Sequence, residues 1–178
     1  MPSSAFAEEL VALLPRLRRF AQSLCGDASL ADDLVQLACE RALKARDSYE
    51  DGTRLDAWVF RILRNAWLDS LRKRKTEGIS EPVEDAIGLS GEDGRKVAHV
   101  SIAANAVMEA MGKLAEDHRQ VLTLVCVEEM SYREAADALG APIGTVMSRL
   151  SRARKALAAA LGLEEGESPL EGADAGGS

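Results

Sequence analysis

The sequence predicts an all-α fold: two small helical domains joined by a flexible linker, the second a four-helix domain with a helix-turn-helix. Three observations predict it. Apolar residues recur at three- and four-residue spacing along most of the chain. Aromatic residues make up only 4% of the sequence, and β-branched runs with strict alternation are scarce. Helix start and stop signals fall at the borders of the periodic stretches.

The first helix is read from Leu10, Leu13, Leu14, Leu17, Phe20, Ala21 and Leu24, with Pro15 either opening or kinking it and Gly26–Asp27 ending it. Ser29 with Asp32 three residues later is expected to open the second helix. Its apolar stripe is Leu30, Leu34, Leu37 and Ala38, widened by Ala31, Val35 and Ala42. Asp32, Asp33, Gln36 and Glu40 stay together on the other side. Such a polar stripe serves solubility or docks a basic partner helix, and spacing alone favours solubility.

Tyr49–Arg54 reads as a loop, and Thr53 with Asp56 as the cap of a third helix buried through Leu55, Trp58, Val59, Ile62, Leu63, Ala66 and Trp67. Arg61, Arg64, Asn65, Arg72, Lys73, Arg74 and Lys75 crowd its remaining surface. Residues 54–75 carry seven basic residues against Asp56 and Asp69. That exceeds what a helix dipole needs at its C-terminus, so this surface is expected to bind phosphates.

Residues 76 to about 100 are acidic and broken by Gly78, Pro82, Gly88, Gly91 and Gly94, the pattern of a linker. Ile102, Ala106, Val107, Ala110 and Leu114 start a new apolar stripe, and Leu122, Val125 and Cys126 continue on another helix. The Gly- and Glu-rich end of the chain is expected to be disordered. The domains are therefore placed at 1–75 and 103–162, with an acidic linker at 76–102 and a tail at 163–178.

Residues 131–155, SYREAADALGAPIGTVMSRLSRARK, carry the most specific signal. Ser131 and Glu134 have capping-box spacing. Gly140 sits where that helix must turn, and Pro142 suits the first position of the next. Ile143, Val146 and Leu150 give the second helix an apolar face. Thr145, Ser148, Ser151 and Arg152 fall opposite, with Arg154 and Lys155 beyond. From Ile143 to Leu161 there are four basic residues and no acidic one. Two short helices with a polar, basic free face point to DNA.

The net charge of −7 argues against a general cationic coat; the positive charge is concentrated in two helices. Cys25, Cys39 and Cys126 are far apart and odd in number, which suits buried free thiols in a reducing compartment. No CxxC occurs, His99 and His118 are isolated, and no metal or cofactor is expected. The sequence shows no signal peptide and no bilayer-spanning run, so a cytoplasmic protein without membrane insertion is expected.

In its order of segments the chain resembles a bacterial sigma factor of the extracytoplasmic-function group, across roughly residues 10–75 and 103–161. SLADDLVQLACERALKA resembles the helix by which such factors grip core RNA polymerase. DGTRLDAWVFRILRNAWLDSLRKRK resembles the segment that melts and reads the −10 promoter element. LAEDHRQVLTLVCVEEMSYREAADALGAPIGTVMSRLSRARKAL resembles the reader of the −35 element. The resemblance implies polymerase contacts for Asp33 and Gln36. It implies −10 contacts for Tyr49, Arg54, Arg61, Asn65 and Lys73. Ser148, Ser151 and Arg152 would enter the −35 major groove, and Thr145 and Arg154 would hold phosphates. Met147 stands where relatives often have a basic residue, which implies a different base preference; Ala115 stands where they usually have proline. The resemblance further implies an anti-sigma partner, a monomer when free, and no bond chemistry. Two other classes compete. A regulator with a sensory N-terminal domain would need a ligand pocket or phospho-acceptor unit in place of the basic third helix. A DNA recombinase would need a nucleophile and an α/β or metal-bearing catalytic domain, and the sequence shows the pattern of neither.

Overall fold

The structure, a computed structural model, describes residues 4–78 and 102–163. The linker and tail readings fall largely outside these residues. Among the described residues every regular element is helical. In order they are α1 (Ser4–Cys25), α2 (Ala28–Lys44), α3 (Leu55–Thr76), α4 (Ile102–Gly112), α5 (Glu116–Leu122), α6 (Tyr132–Leu139) and α7 (Ile143–Ala160).

Helices α1, α2 and α3 pack mutually. Leu17, Phe20, Ala21, Leu24, Val59, Phe60 and Leu63 are essentially sealed from solvent. Phe20 and Phe60 meet edge to face with centroids 5.2 Å apart, a geometry favoured by the ring quadrupoles. α1 continues through Pro15, so the proline does not open it. Gly26, at φ 71°, ends the helix in the left-handed region.

Two start signals were misplaced. The cap of α2 is Asp27, whose carboxylate accepts from the Leu30 amide at 2.7 Å, so the helix begins before Ser29. Asp32, left without a capping task, pairs with Arg18 at 2.9 Å. At α3 the cap position is Arg54, without a side-chain cap. The Thr53 hydroxyl is spent on the Glu50 carbonyl at 2.7 Å, and Asp56 is turned towards arginines.

The second half is built on Leu122, Leu124, Leu139, Val146, Leu150 and Leu157, all buried. α7 packs on α4, α5 and α6. α5 runs into a π-type turn at Thr123–Val127, where the Glu128 amide reaches the Thr123 carbonyl at 2.9 Å. Ala106, read as part of the α4 stripe, is exposed. Ile143 also departs from its expected apolar face: it is 46% exposed, whereas Val146 is sealed.

The halves do not stand apart. α3 packs against α6 and α1 against α5, and the buried apolar residues of both form one continuous cluster.

Candidate nucleic-acid interface

The helix-turn-helix follows its sequence signals closely. Ser131 and Glu134 form the reciprocal capping box, at 3.2 Å to the Glu134 amide and 2.9 Å from the Ser131 amide. Gly140 closes α6 at φ 59°, a conformation a side chain disfavours. Pro142 lies one place earlier than expected, as the N-cap of α7.

On α7, Val146, Leu150, Ala153 and Leu157 face the core. Ser148, Ser151, Arg152 and Lys155 are exposed, and Thr145 is half-buried. The Ser148 hydroxyl donates to the Thr145 carbonyl at 3.1 Å, and Arg152 Nε donates to the Ser148 carbonyl at 3.3 Å. Arg154 differs: its Nε is buried without a hydrogen-bond partner. Its guanidinium lies beside Cys126, whose thiol pKa burial pushes up and Arg154 draws partly back. Arg149 turns to Asp117 at 3.3 Å.

On α3, Arg61, Asn65, Arg72, Lys73 and Lys75 are exposed. Among the described residues Lys73 makes a long contact to Glu77, at 3.9 Å. Arg64 is half-buried beside Gly140, about 3.7 Å from where a Cβ would stand. Burial and the like charge of Arg149 both lower its pKa. Tyr49 belongs to an aromatic cluster with Phe6 and Trp58, centroids 5.8 and 5.2 Å away, and its hydroxyl donates to the Thr53 carbonyl. On α2, Asp33 and Gln36 lie on an exposed acidic stripe, Gln36 reaching Glu40 at 3.4 Å.

Sequence reasoning missed the residues that join the halves. The Glu128 carboxylate is 1% exposed and accepts from Arg16 at 2.7 Å and Arg19 at 2.8 Å. Arg16 also reaches Asp56 at 3.0 Å. Burial works against the Arg16 charge, but the two carboxylates outweigh it and its pKa rises. Arg54 forks onto Asp56 at 2.7 and 3.0 Å and reaches Glu134 of α6 at 2.7 Å. Trp67 Nε1 donates to Glu116 at 3.0 Å, and the buried Arg119 donates to the Ser23 carbonyl at 3.1 Å.

Burial alone would raise the Asp56 pKa, but hydrogen bonds from Arg54, the Ala57 amide and Arg16 hold it at about 2. A folded-state value below the ordinary 3.8 means stability fully present above that value and lost as pH falls towards 2. Denaturant titrations should lose about 2 kcal/mol between pH 5 and pH 2, and Asp56→Asn should flatten that window.

Residues 10–77 match the family model of Sigma-70 region 2, and residues 104–157 that of Sigma-70, region 4. The chain is 39% identical to the ECF RNA polymerase sigma factor EcfG of Rhodopseudomonas palustris, across 93% of this chain and 90% of that one. The chain belongs to the extracytoplasmic-function sigma factors. It is also 30% identical to SigW of Bacillus subtilis, over 86% of this chain and 87% of that protein. Among solved structures, the sigma factor RpoE of Bartonella quintana, in complex with the anti-sigma factor NepR, aligns with a TM-score of 0.74. The identity is 35%, over 90% of this chain and 98% of that one. In this sigma factor most of α1 and all of α2 and α3 lie within the region 2 match, and α5, α6 and most of α7 within the region 4 match. None of its described helices is long and apolar enough to cross a membrane.

Proposed function

We propose that this sigma factor binds core RNA polymerase in the cytoplasm and directs it to promoters. In this reading, residues 1–75 hold the polymerase and read and help melt the −10 element. Residues 103–162 read the −35 element, and 76–102 are the tether. Asp33 and Gln36 meet the polymerase. Arg61, Asn65 and Lys73 hold the −10 strand, with Tyr49 and Arg54 at the loop beside it. Ser148, Ser151 and Arg152 enter the −35 groove, flanked by Thr145 and Arg154. The exposed, acid-free face of α7 behind a fully formed capping box is the observation that carries the reading. Arg154 would need to swing its guanidinium outward to reach a phosphate.

Binding free energy does the work. The packed halves contain a body whose expected radius of gyration is about 14 Å. Promoter elements about 17 base pairs apart are separated by roughly 60 Å of B-DNA. One closed body cannot reach both. Residues 79–101, fully extended, reach at most about 80 Å, enough to let the halves part. The Arg54–Glu134 pair must then break, which releases one nitrogen of Arg54 towards the strand while its fork on Asp56 stays. Melting costs a few kcal/mol per unstacked step, offset by capture of flipped bases and phosphates. An anti-sigma factor, of the kind bound to the Bartonella quintana neighbour, would hold the free monomer inactive.

The test is transcription in vitro with core polymerase on a promoter library: initiation at defined sites is expected, and random or absent initiation would overturn the reading. Arg152→Ala should reduce −35 discrimination by about 1–3 kcal/mol, measured as relative promoter binding across single-base variants.

A further inference from the structure

We infer that Met147 is a specificity residue that reads the C5-methyl group of a thymine in the −35 element, an inference that rests on the promoter reading above. At about 100° per residue, the buried stripe of α7 places Gly144, Ser148 and Lys155 along the middle of its free face, with Ser151 and Arg152 about 50° to either side. Met147 stands further round, at the edge of this face on the side opposite Arg152, and all six are exposed. Over the first turns of α7 the middle line is small, and a Cβ added at Gly144 would meet nothing within 4 Å; Lys155 stands on it only towards the C-terminal end. A helix with such a midline can sit close to base edges while two long side chains straddle them.

The flanks differ in chemistry. Arg152 is steered along its own flank by Ser148, at 3.3 Å to the carbonyl and 3.4 Å to the hydroxyl. It offers donors to a purine edge. Met147 is 51% exposed, and Ile143, one turn before it, is 46% exposed. A single exposed apolar residue is ordinary. Here two stand one turn apart in the N-terminal part of α7, at the edge of its free face and beyond it, on a helix without an acidic residue. Neither can satisfy a hydrogen-bonding base edge. The apolar feature of the major groove is the thymine methyl, and a flexible thioether side chain can fold onto it.

The test uses the full chain with core polymerase. A preferred −35 element is selected from a randomised library, and each of its thymines is replaced singly by deoxyuridine, which lacks the methyl. One replacement should weaken wild-type promoter binding about fourfold, the worth of one buried methyl group. Met147→Ala and Met147→Gln should be indifferent to that replacement, and Met147→Leu should keep the penalty. Arg152→Ala should keep it too, while relaxing selection elsewhere. If no position separates wild type from the Met147 variants, the inference falls. If Arg152→Ala also leaves selection unchanged, α7 is not the reader, and the proposed function falls with it.

Discussion

Glu128→Ala should loosen the closed arrangement by about 3 kcal/mol. The carboxylate is 1% exposed and carries two arginines from α1. Breaking a buried ion pair by removing one partner costs about 3–5 kcal/mol. The lower end applies here because Arg16 and Arg19 are 27% and 49% exposed and can turn to water. The readouts are the denaturation midpoint and the radius of gyration from small-angle scattering. A lower midpoint with an expanded particle is expected. Removing Arg19 in the Glu128→Ala background should add little, since partners in one network are not additive. An unchanged midpoint and radius would show that the apolar seam alone closes the molecule.

Core polymerase should raise promoter-specific affinity by a factor of about 10²–10⁴ over the free sigma factor. That is the range expected when two linked binding events become intramolecular. The free chain faces a geometric obstacle as well, because its packed halves are shorter than the spacing they must span. Titration of one promoter fragment and one scrambled fragment, with and without core, measures it. Equal promoter-specific affinity in both conditions would contradict the mechanism. Glu128→Ala connects the two experiments: a chain already open should show a smaller dependence on core.

Local signals explain which parts of this fold could be read in advance. Ser131, Glu134 and Gly140 act within one helix, through contacts three or four residues apart, and the structure forms them as spacing implies. The exposed placement of Asp33, Gln36, Arg61 and Arg152 follows from helical periodicity in the same way. The caps of α2 and α3 were misjudged because several hydroxyls and carboxylates compete there. Asp27 outcompetes Ser29 by following a left-handed glycine, and Asp56 is drawn away by Arg54 and Arg16. Ile143 carries an apolar side chain at a helical position, yet only tertiary packing decides whether anything covers it. Arg16 and Glu128 lie 112 positions apart, and Arg54 and Glu134 lie 80 apart. Each reads in isolation as an ordinary surface charge, so no pattern along the chain could have joined them. Arg154 shows the same limit: its wheel position borders the core, and its neighbour there, Cys126, lies on another element.

The π-type turn at Thr123–Val127 makes the closing contact a matter of helical phase. The turn absorbs one residue more than an α-helical turn does, so the chain beyond it is rotated by about 100° from where a regular helix would carry it. Glu128 follows directly after that offset. A chain shortened by one residue in this turn would keep every charge it now has and still aim the carboxylate away from α1. Relatives could thus differ in how tightly they shut through a single insertion or deletion, with no substitution at the charged positions.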